Sequence, residues 1–178
     1  RLVVPALDRF PVALWNKIVS RRMRQLNAKN LDYGNAAGSS ALREAIALHV
    51  SRSRGTVCTA EQVIVVAGAQ QGLEMIAKLL LDPGDLAWME EPGYPAARGA
   101  LISAGAQIES APIDDQGVLV EHLKKLKQRA RLIYTTPSHQ FPLGVQMSLP
   151  RRLALLRWAR DSRAWIVEDD YDSEFRYG

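Results

Sequence analysis

Five carboxylates crowd one short stretch of the sequence, "WIVEDDYDSEFRYG": Glu168, Asp169, Asp170, Asp172 and Glu174. Such a run can hold a metal, line a solvated turn, or set one negative charge against a cationic ligand. A calcium loop wants DxDxDG with a distal glutamate, and this stretch has neither the glycine turn nor the spacing. Magnesium needs only one or two carboxylates plus a phosphate, so the pattern leaves it open. Side chains alternate along an extended segment, which sends Glu168 and Asp170 to one side and Asp169 and Tyr171 to the other. Asp169 and Tyr171 are the pair expected to face a pocket.

Three further stretches carry chemistry. In "VAGAQQG", a strand is expected to feed a helix, and Gly68 and Ala69 let the backbone come close to a ligand. Free N–H groups and the positive end of the helix dipole favour an anion there, a phosphate above all. Taken alone, the stretch reads equally well as a tight turn with no ligand. It matches neither GxxxxGK[ST] nor GxGxxG, and Lys78 sits too far along the helix to serve a phosphate. In "EEPGYP", Tyr94 stands on a Pro-Gly turn, where its ring can stack on a flat heteroaromatic or simply pack over the loop. "TPSHQFPLG" is a loop shaped by Pro137, Pro142 and Gly144, and its His139 is the histidine expected at a strand end. His49 and His122 fall on helices. No serine, cysteine or acid at a suggestive spacing marks a triad around His139.

For these stretches to meet, strands must end along one edge of a sheet. "QVIVVA" is a short β-branched run suited to a strand buried on both faces. "LAWME", "AQIESAPI", "RLIYTT" and "AWIVED" are the other predicted strands. Between them lie the helical patterns "GAQQGLEMIAKLLL", "PAARGALISAG", "VEHLKKLKQR" and "LPRRLALLRWARDS", preceded by "SSALREAIALHVSRS". Leu73, Ile76, Ala77 and Leu80 recur at i, i+3, i+4 and i+7, the signature of an amphipathic helix. Alternating strands and helices favour a largely parallel sheet with helices on both faces, whose ligands bind beyond the carboxyl ends of the strands. All four chemical stretches fall at such ends. The first forty residues break this rhythm and read as an arm plus a helix.

Composition narrows the class. The chain has 178 residues, 47% of them hydrophobic, enough for one domain with a real core. No run approaches the roughly 18 apolar residues of a membrane span. One cysteine, Cys58, cannot build a disulfide framework, and with three scattered histidines it points to a reducing, cytoplasmic setting. The net charge of +4 owes part of its excess to "NKIVSRRMRQLNAKN", with Lys17, Arg21, Arg22, Arg24 and Lys29. That segment reads as a solvated helix face before it reads as a nucleic-acid surface.

The ordered series "LDYGNAAGSSALREAI", "VAGAQQGLEMIAKLLLDPGD", "MEEPGYPAARGAL", "TPSHQFPLG" and "IVEDDYDSEFRY" resembles the fold type I, pyridoxal-phosphate-dependent aminotransferases. In particular it resembles the aminotransferase-like domain of MocR/GabR-type transcription regulators of the GntR family. The resemblance implies an α/β, three-layer fold with a mostly parallel sheet, the large domain of aspartate aminotransferase-like proteins, incomplete in this chain. Residues 1–38 would be an N-terminal arm and helix, and 39–178 the first part of the large domain. A winged-helix DNA-binding domain and the carboxyl-terminal remainder would lie outside.

The resemblance also implies roles. Gly68, Ala69 and Gln70 would cradle the phosphate of pyridoxal 5'-phosphate, Tyr94 would stack on its ring, and Asp169 would pair with the protonated ring nitrogen. Tyr171 would hydrogen-bond the phenolic oxygen. Tyr33, in "DYG", would reach the cofactor phosphate of a partner subunit, which implies a homodimer. The implied function is that of an effector sensor, reading an amino compound by aldimine exchange. The alternative is a catalytically active aminotransferase of amino acids. With Asp169 so assigned, the remaining acids read as surface and no metal is expected. Two features depart from the aminotransferase pattern. Phe141 stands where many of those enzymes have an asparagine. Among Lys17, Lys29, Lys78, Lys124, Lys125 and Lys127, none matches the Schiff-base lysine, so the chain reads as an internal fragment with no catalytic residue of its own.

Overall fold

The computed structural model describes residues 6–125 and 129–173, the side chain of Lys29 excepted. Glu174, Lys127 and the first residues of the expected arm lie outside the described residues. The chain divides into two compact units, Arg1–Val65 and Val66–Gly178.

In the first unit, α1 (Val12–Met23) buries none of its residues, and a short α2 (Ala28–Leu31) follows. The basic side chains of Lys17, Arg21, Arg22 and Arg24 are all exposed, a solvated face. α3 (Ser40–Arg54) is anchored by Arg43, which is 9% exposed. Its Nε donates to the carbonyls of Ala60 and Val63, both at 2.9 Å. The segment "QVIVVA" forms no strand: Gln62 closes a 3-10 turn, Val63 is extended, and residues 63–66 join no ladder. A ladder needs a neighbour, and the backbone bond recorded for this run outside the 60–63 turn is Val65 N–H to the Ala37 carbonyl, at 2.9 Å.

The second unit carries the sheet. Its elements run α4 (Ala69–Leu80), β1 (Leu86–Glu91), α5 (Pro95–Ser103), β2 (Gln107–Asp114), β3 (Gly117–Val118), α6 (Val120–Lys124), β4 (Leu132–Thr135), α7 (Leu149–Ser162) and β5 (Trp165–Glu168). The strand order is β3-β2-β1-β4-β5. β1 pairs in parallel with β2 and β4, and β4 with β5, while the two-residue β3 runs antiparallel to β2. β3 was not expected from the sequence.

Pleating assigns each face its helices. Ala87, Met89, Leu132 and Tyr134 join Ala77, Ala97 and Leu101 in a core under α4 and α5. Trp88 and Ile133 point the other way and join Leu123, Leu155, Trp158 and Ala159 under α6 and α7. The result is three layers, helix–sheet–helix, as the alternation of elements requires. From β1 the chain steps outward to β2 by way of α5, then returns past β1 to β4 and β5 by way of α6 and α7. The carboxyl ends of β1 and β4 therefore flank the point where strand order reverses, the usual place for a ligand in such sheets.

Candidate functional site

Two side chains meet at the end of β5. The Tyr134 hydroxyl donates to Asp169 Oδ2 at 2.6 Å, and the Asp169 N–H donates to the Thr135 carbonyl at 3.0 Å. Val167 packs with the α4/α5 core and Ile166 with the α6/α7 core. Asp169 keeps the parity of Val167 and so faces Tyr134. Glu168 keeps the other parity and lies 3.8 Å from Arg152 of α7. The expected alternation of Glu168 and Asp169 is thus what the backbone does. Burial, then the hydrogen bond to Asp169 and its charge, push the Tyr134 phenol far above its ordinary value. Tyr134 is therefore a permanent donor, and it holds the half-buried Asp169 carboxylate in place.

Beside this pair stands a group of aromatic rings. Phe141 meets Tyr94 edge-on at 5.5 Å and Tyr171 edge-on at 6.5 Å. His139 stacks on Tyr171 at 5.8 Å with 21° between the planes. Tyr171 donates its hydroxyl to the His139 carbonyl at 2.9 Å, and His139 Nδ1 is hydrogen-bonded to Asp172 Oδ2. Burial raises the Tyr171 phenol, with help from the charges of Asp172, Asp169 and Glu90, so its proton stays available.

Beneath the rings lies a buried carboxylate that sequence reasoning missed. Glu90 is 1% exposed and ends the buried part of β1. It accepts from the Thr135 hydroxyl, from the Thr136 N–H (3.1 Å) and hydroxyl (2.7 Å), and from Gln140 Nε2 (3.2 Å). Gln140, 2% exposed, also donates to the carbonyls of Pro92 (2.9 Å) and Phe141 (2.6 Å). The Thr136 hydroxyl oxygen in turn accepts the Phe141 N–H at 2.9 Å. One carboxylate thus ties the loop carrying Tyr94 to the loop carrying Phe141. At the base of the latter loop, Arg152 donates to the carbonyls of Pro137 (2.8 Å) and Met147 (3.2 Å).

Gly68 caps α4 with extended backbone and no side-chain cap, and Gly68, Ala69 and Gln70 are exposed. The Gln71 side chain accepts the Ala67 N–H at 2.7 Å, and the first N–H groups of α4 have no partner within the helix. A Cβ built on Gly68 meets nothing within 4 Å, so open space lies before this helix end. Leu73 of α4 and Tyr94 pack against the same core, which sets the helix and the aromatic loop on one face. No hydrogen bond or ring contact recorded among the described residues links Gly68–Gln70 to the aromatic group. Tyr33 belongs to the first unit and is fully exposed.

The structure therefore brings together Asp169, Tyr171 and Tyr94 and adds Tyr134, Phe141, Glu90, Gln140, His139 and Asp172. Among the described residues no group of three or more histidines, cysteines or acids is arranged to hold a metal. The donor set suits a flat, anion-bearing ring: aromatic faces for the ring, a carboxylate for a cationic nitrogen, a phenol for an oxygen, and a helix end for a phosphate.

Known proteins resemble this chain over nearly its whole length. The family described as "Aminotransferase class I and II" matches residues 10–178. The probable rhizopine catabolism regulatory protein MocR of Rhizobium meliloti is 42% identical over 173 residues, covering 97% of this chain and 35% of that protein. The crystal structure of the multiple substrate aminotransferase from Thermococcus profundus superposes with a TM-score of 0.89 at 34% identity, covering 98% of this chain and 45% of that one. LysN, the alpha-aminoadipate aminotransferase of Thermus thermophilus, complexed with N-(5'-phosphopyridoxyl)-L-leucine, gives 0.83 at 28% identity, over 94% of this chain and 42% of that one. The chain spans about a third of the length of the curated regulators it matches.

Proposed function

From the premise that this chain belongs to the aminotransferase class I and II family, a family that works with pyridoxal 5'-phosphate, we propose that it is the cofactor-binding, effector-sensing part of a MocR/GabR-like transcription regulator. The observation that carries this reading is the 42% identity to a regulator over 97% of the chain. It is supported by a site whose groups fit that cofactor one by one.

Bound pyridoxal phosphate supplies an aldehyde that reacts with primary amines and a ring that withdraws electrons when its nitrogen is protonated. The chain's own residues would hold it. The N–H groups at Gly68, Ala69 and Gln70 would bind the phosphate, helped by the helix dipole. Tyr94 would cover one ring face. Asp169, oriented by Tyr134, would keep the proton on the ring nitrogen, since a carboxylate favours a neighbouring cation. Tyr171 would donate to the phenolic oxygen. Tyr33 would serve a partner subunit's phosphate in a homodimer, and the DNA contact would belong to a winged-helix domain beyond this chain. The division into an arm (1–38) and a large domain (39–178) and a cytoplasmic setting belong to the same proposal. Among the described residues no helix is long and apolar enough to cross a membrane.

The test uses the protein that carries this chain. It is titrated with pyridoxal phosphate by absorbance, then with a panel of primary amines and amino acids. A sensor responds spectrally to an amino compound and changes its hold on operator DNA without converting a 2-oxo acid. Sustained transamination instead supports the second reading, an active aminotransferase, which the likeness to the Thermococcus and Thermus enzymes favours. Absence of any cofactor spectrum overturns both.

A further inference from the structure

Tyr171 is 45% exposed, and a side chain so open to solvent ordinarily samples several orientations. Here it is held from three sides, and His139 supplies two of them. The Tyr171 hydroxyl donates to the His139 carbonyl at 2.9 Å, and the two rings stack at 5.8 Å. The third hold is Phe141 against the ring edge. The imidazole cannot turn away, because its Nδ1 is bonded to Asp172 Oδ2. Behind it, a Cβ built on Gly144 (φ +75°) would come within 3.1 Å of His139 Nε2, so the loop's own turn backs the ring. His139 lies 33 residues from Asp172 in sequence, and their bond joins the tip of the 136–145 loop to the turn after β5.

We propose that His139 and Asp172 are a positioning pair for Tyr171: their hydrogen bond clasps the loop to the turn and fixes where the Tyr171 oxygen sits. The pair does not touch the ligand itself. With the ring fixed, only the hydroxyl hydrogen must rotate, leaving the neutral His139 carbonyl for an anionic oxygen, which makes the stronger bond. This rests on the reading that Tyr171 meets the phenolic oxygen of pyridoxal phosphate, and the test separates the two ideas.

In the protein carrying this chain, His139→Phe keeps a ring to stack and removes the bond to Asp172. Asp172→Ala removes it from the other side, while Asp172→Asn keeps an acceptor. Both His139→Phe and Asp172→Ala are expected to weaken pyridoxal phosphate binding about fivefold. Both are expected to shift its long-wavelength absorption band in the direction that Tyr171→Phe shifts it, and Asp172→Asn to restore most of the loss. Adding Tyr171→Phe to Asp172→Ala is expected to change little more, because the pair acts through Tyr171. Additive losses, or an unmoved band in His139→Phe and Asp172→Ala, overturn the proposal. Hydrogen exchange of the cofactor-free protein reads the clasp alone: amides of residues 139–145 exchange faster in His139→Phe and Asp172→Ala but not in Asp172→Asn. If the unaltered protein binds no cofactor, the functional reading falls and takes the role toward the ring with it. Unchanged exchange in those variants overturns the clasp independently of the cofactor.

Discussion

Glu90 shows how one buried charge holds two loops. Its acceptor oxygens collect donors from Thr135, Thr136 and Gln140, and no one of these donors can reach water. Glu90→Ala strands the Thr135 hydroxyl and the Thr136 N–H and hydroxyl, while Gln140 keeps the Pro92 and Phe141 carbonyls, and each unsatisfied buried donor costs about 1–3 kcal/mol. The expected loss in urea unfolding of the protein carrying this chain is about 3–5 kcal/mol. Glu90→Gln should cost about 1 kcal/mol, since its carbonyl can take the place of Oε2 while its amide donates to the Thr135 oxygen. Equal losses in the two variants would count against the network. Asp169→Ala is expected to weaken pyridoxal phosphate binding and alter its spectrum. Tyr134→Phe should act in the same direction by about fivefold, one lost hydrogen bond's worth. Unchanged affinity in Asp169→Ala would remove the ring-nitrogen pairing. That Asp169 and Glu168 face opposite ways was legible in the sequence, because side chains alternate along a strand. Glu90 was not, because nothing in "EEPGYP" tells which of its two glutamates turns inward. Tyr134 becomes the partner of Asp169 only through the β4/β5 register, which pairs Tyr134 with Val167.

Elements follow the same rule: what depends on local periodicity was legible, and what depends on a distant neighbour was not. α7 spans the residues its pattern marks, and β1, β2, β4 and β5 fall on their apolar runs. "QVIVVA" has strand chemistry but no ladder, because pairing is decided by what lies alongside. β3 is two residues long, too short to show a period, and it depends on Gly117 (φ +97°), where a Cβ would lie 2.8 Å from Met147 Cγ. Gly117→Ala is therefore expected to destabilise by about 1–3 kcal/mol, read as a lower urea midpoint. The same corner is tied by Arg151, whose guanidinium donates to Asp114 at 2.9 Å and to the carbonyl of Val118 at 2.5 Å. Burial pushes the Asp114 carboxyl up, but Arg151 and the Gln116 N–H outweigh it and hold the group below its ordinary value. The folded state thus favours the carboxylate. Its stabilisation is complete above the ordinary aspartate value of about 4 and fades as the pH falls through the lower folded value. Asp114→Asn should lower the unfolding midpoint at neutral pH, with the gap to the parent closing in acid. A gap that stays constant with pH would sink the assignment.

At the scale of the whole second unit, parallel pairing forces every strand of the β2-β1-β4-β5 group to end along one edge and begin along the other. The two edges are built differently. At the beginning edge, backbone bonds stitch the connections together: Gly84 N–H to the Gly105 carbonyl, Arg131 N–H to that of Leu86, and Trp165 N–H to that of Arg131. At the ending edge, side chains do the tying, through Glu90, Gln140, Arg152, and the His139–Asp172 pair. Loops tied by side chains can open and reclose one by one, so a ligand seated there steadies them, whereas the beginning edge is already closed backbone to backbone. Cofactor binding is therefore expected to slow hydrogen exchange in 68–71, 92–95, 139–145 and 169–172. Segments 82–85, 104–106 and 163–164 should exchange at the same rate with and without it. Mass spectrometry of the protein carrying this chain, with and without pyridoxal phosphate, reads both edges in one experiment. Protection spread evenly over the two edges would mean general tightening of the fold. Protection confined to the beginning edge would place the ligand on the wrong side of the sheet.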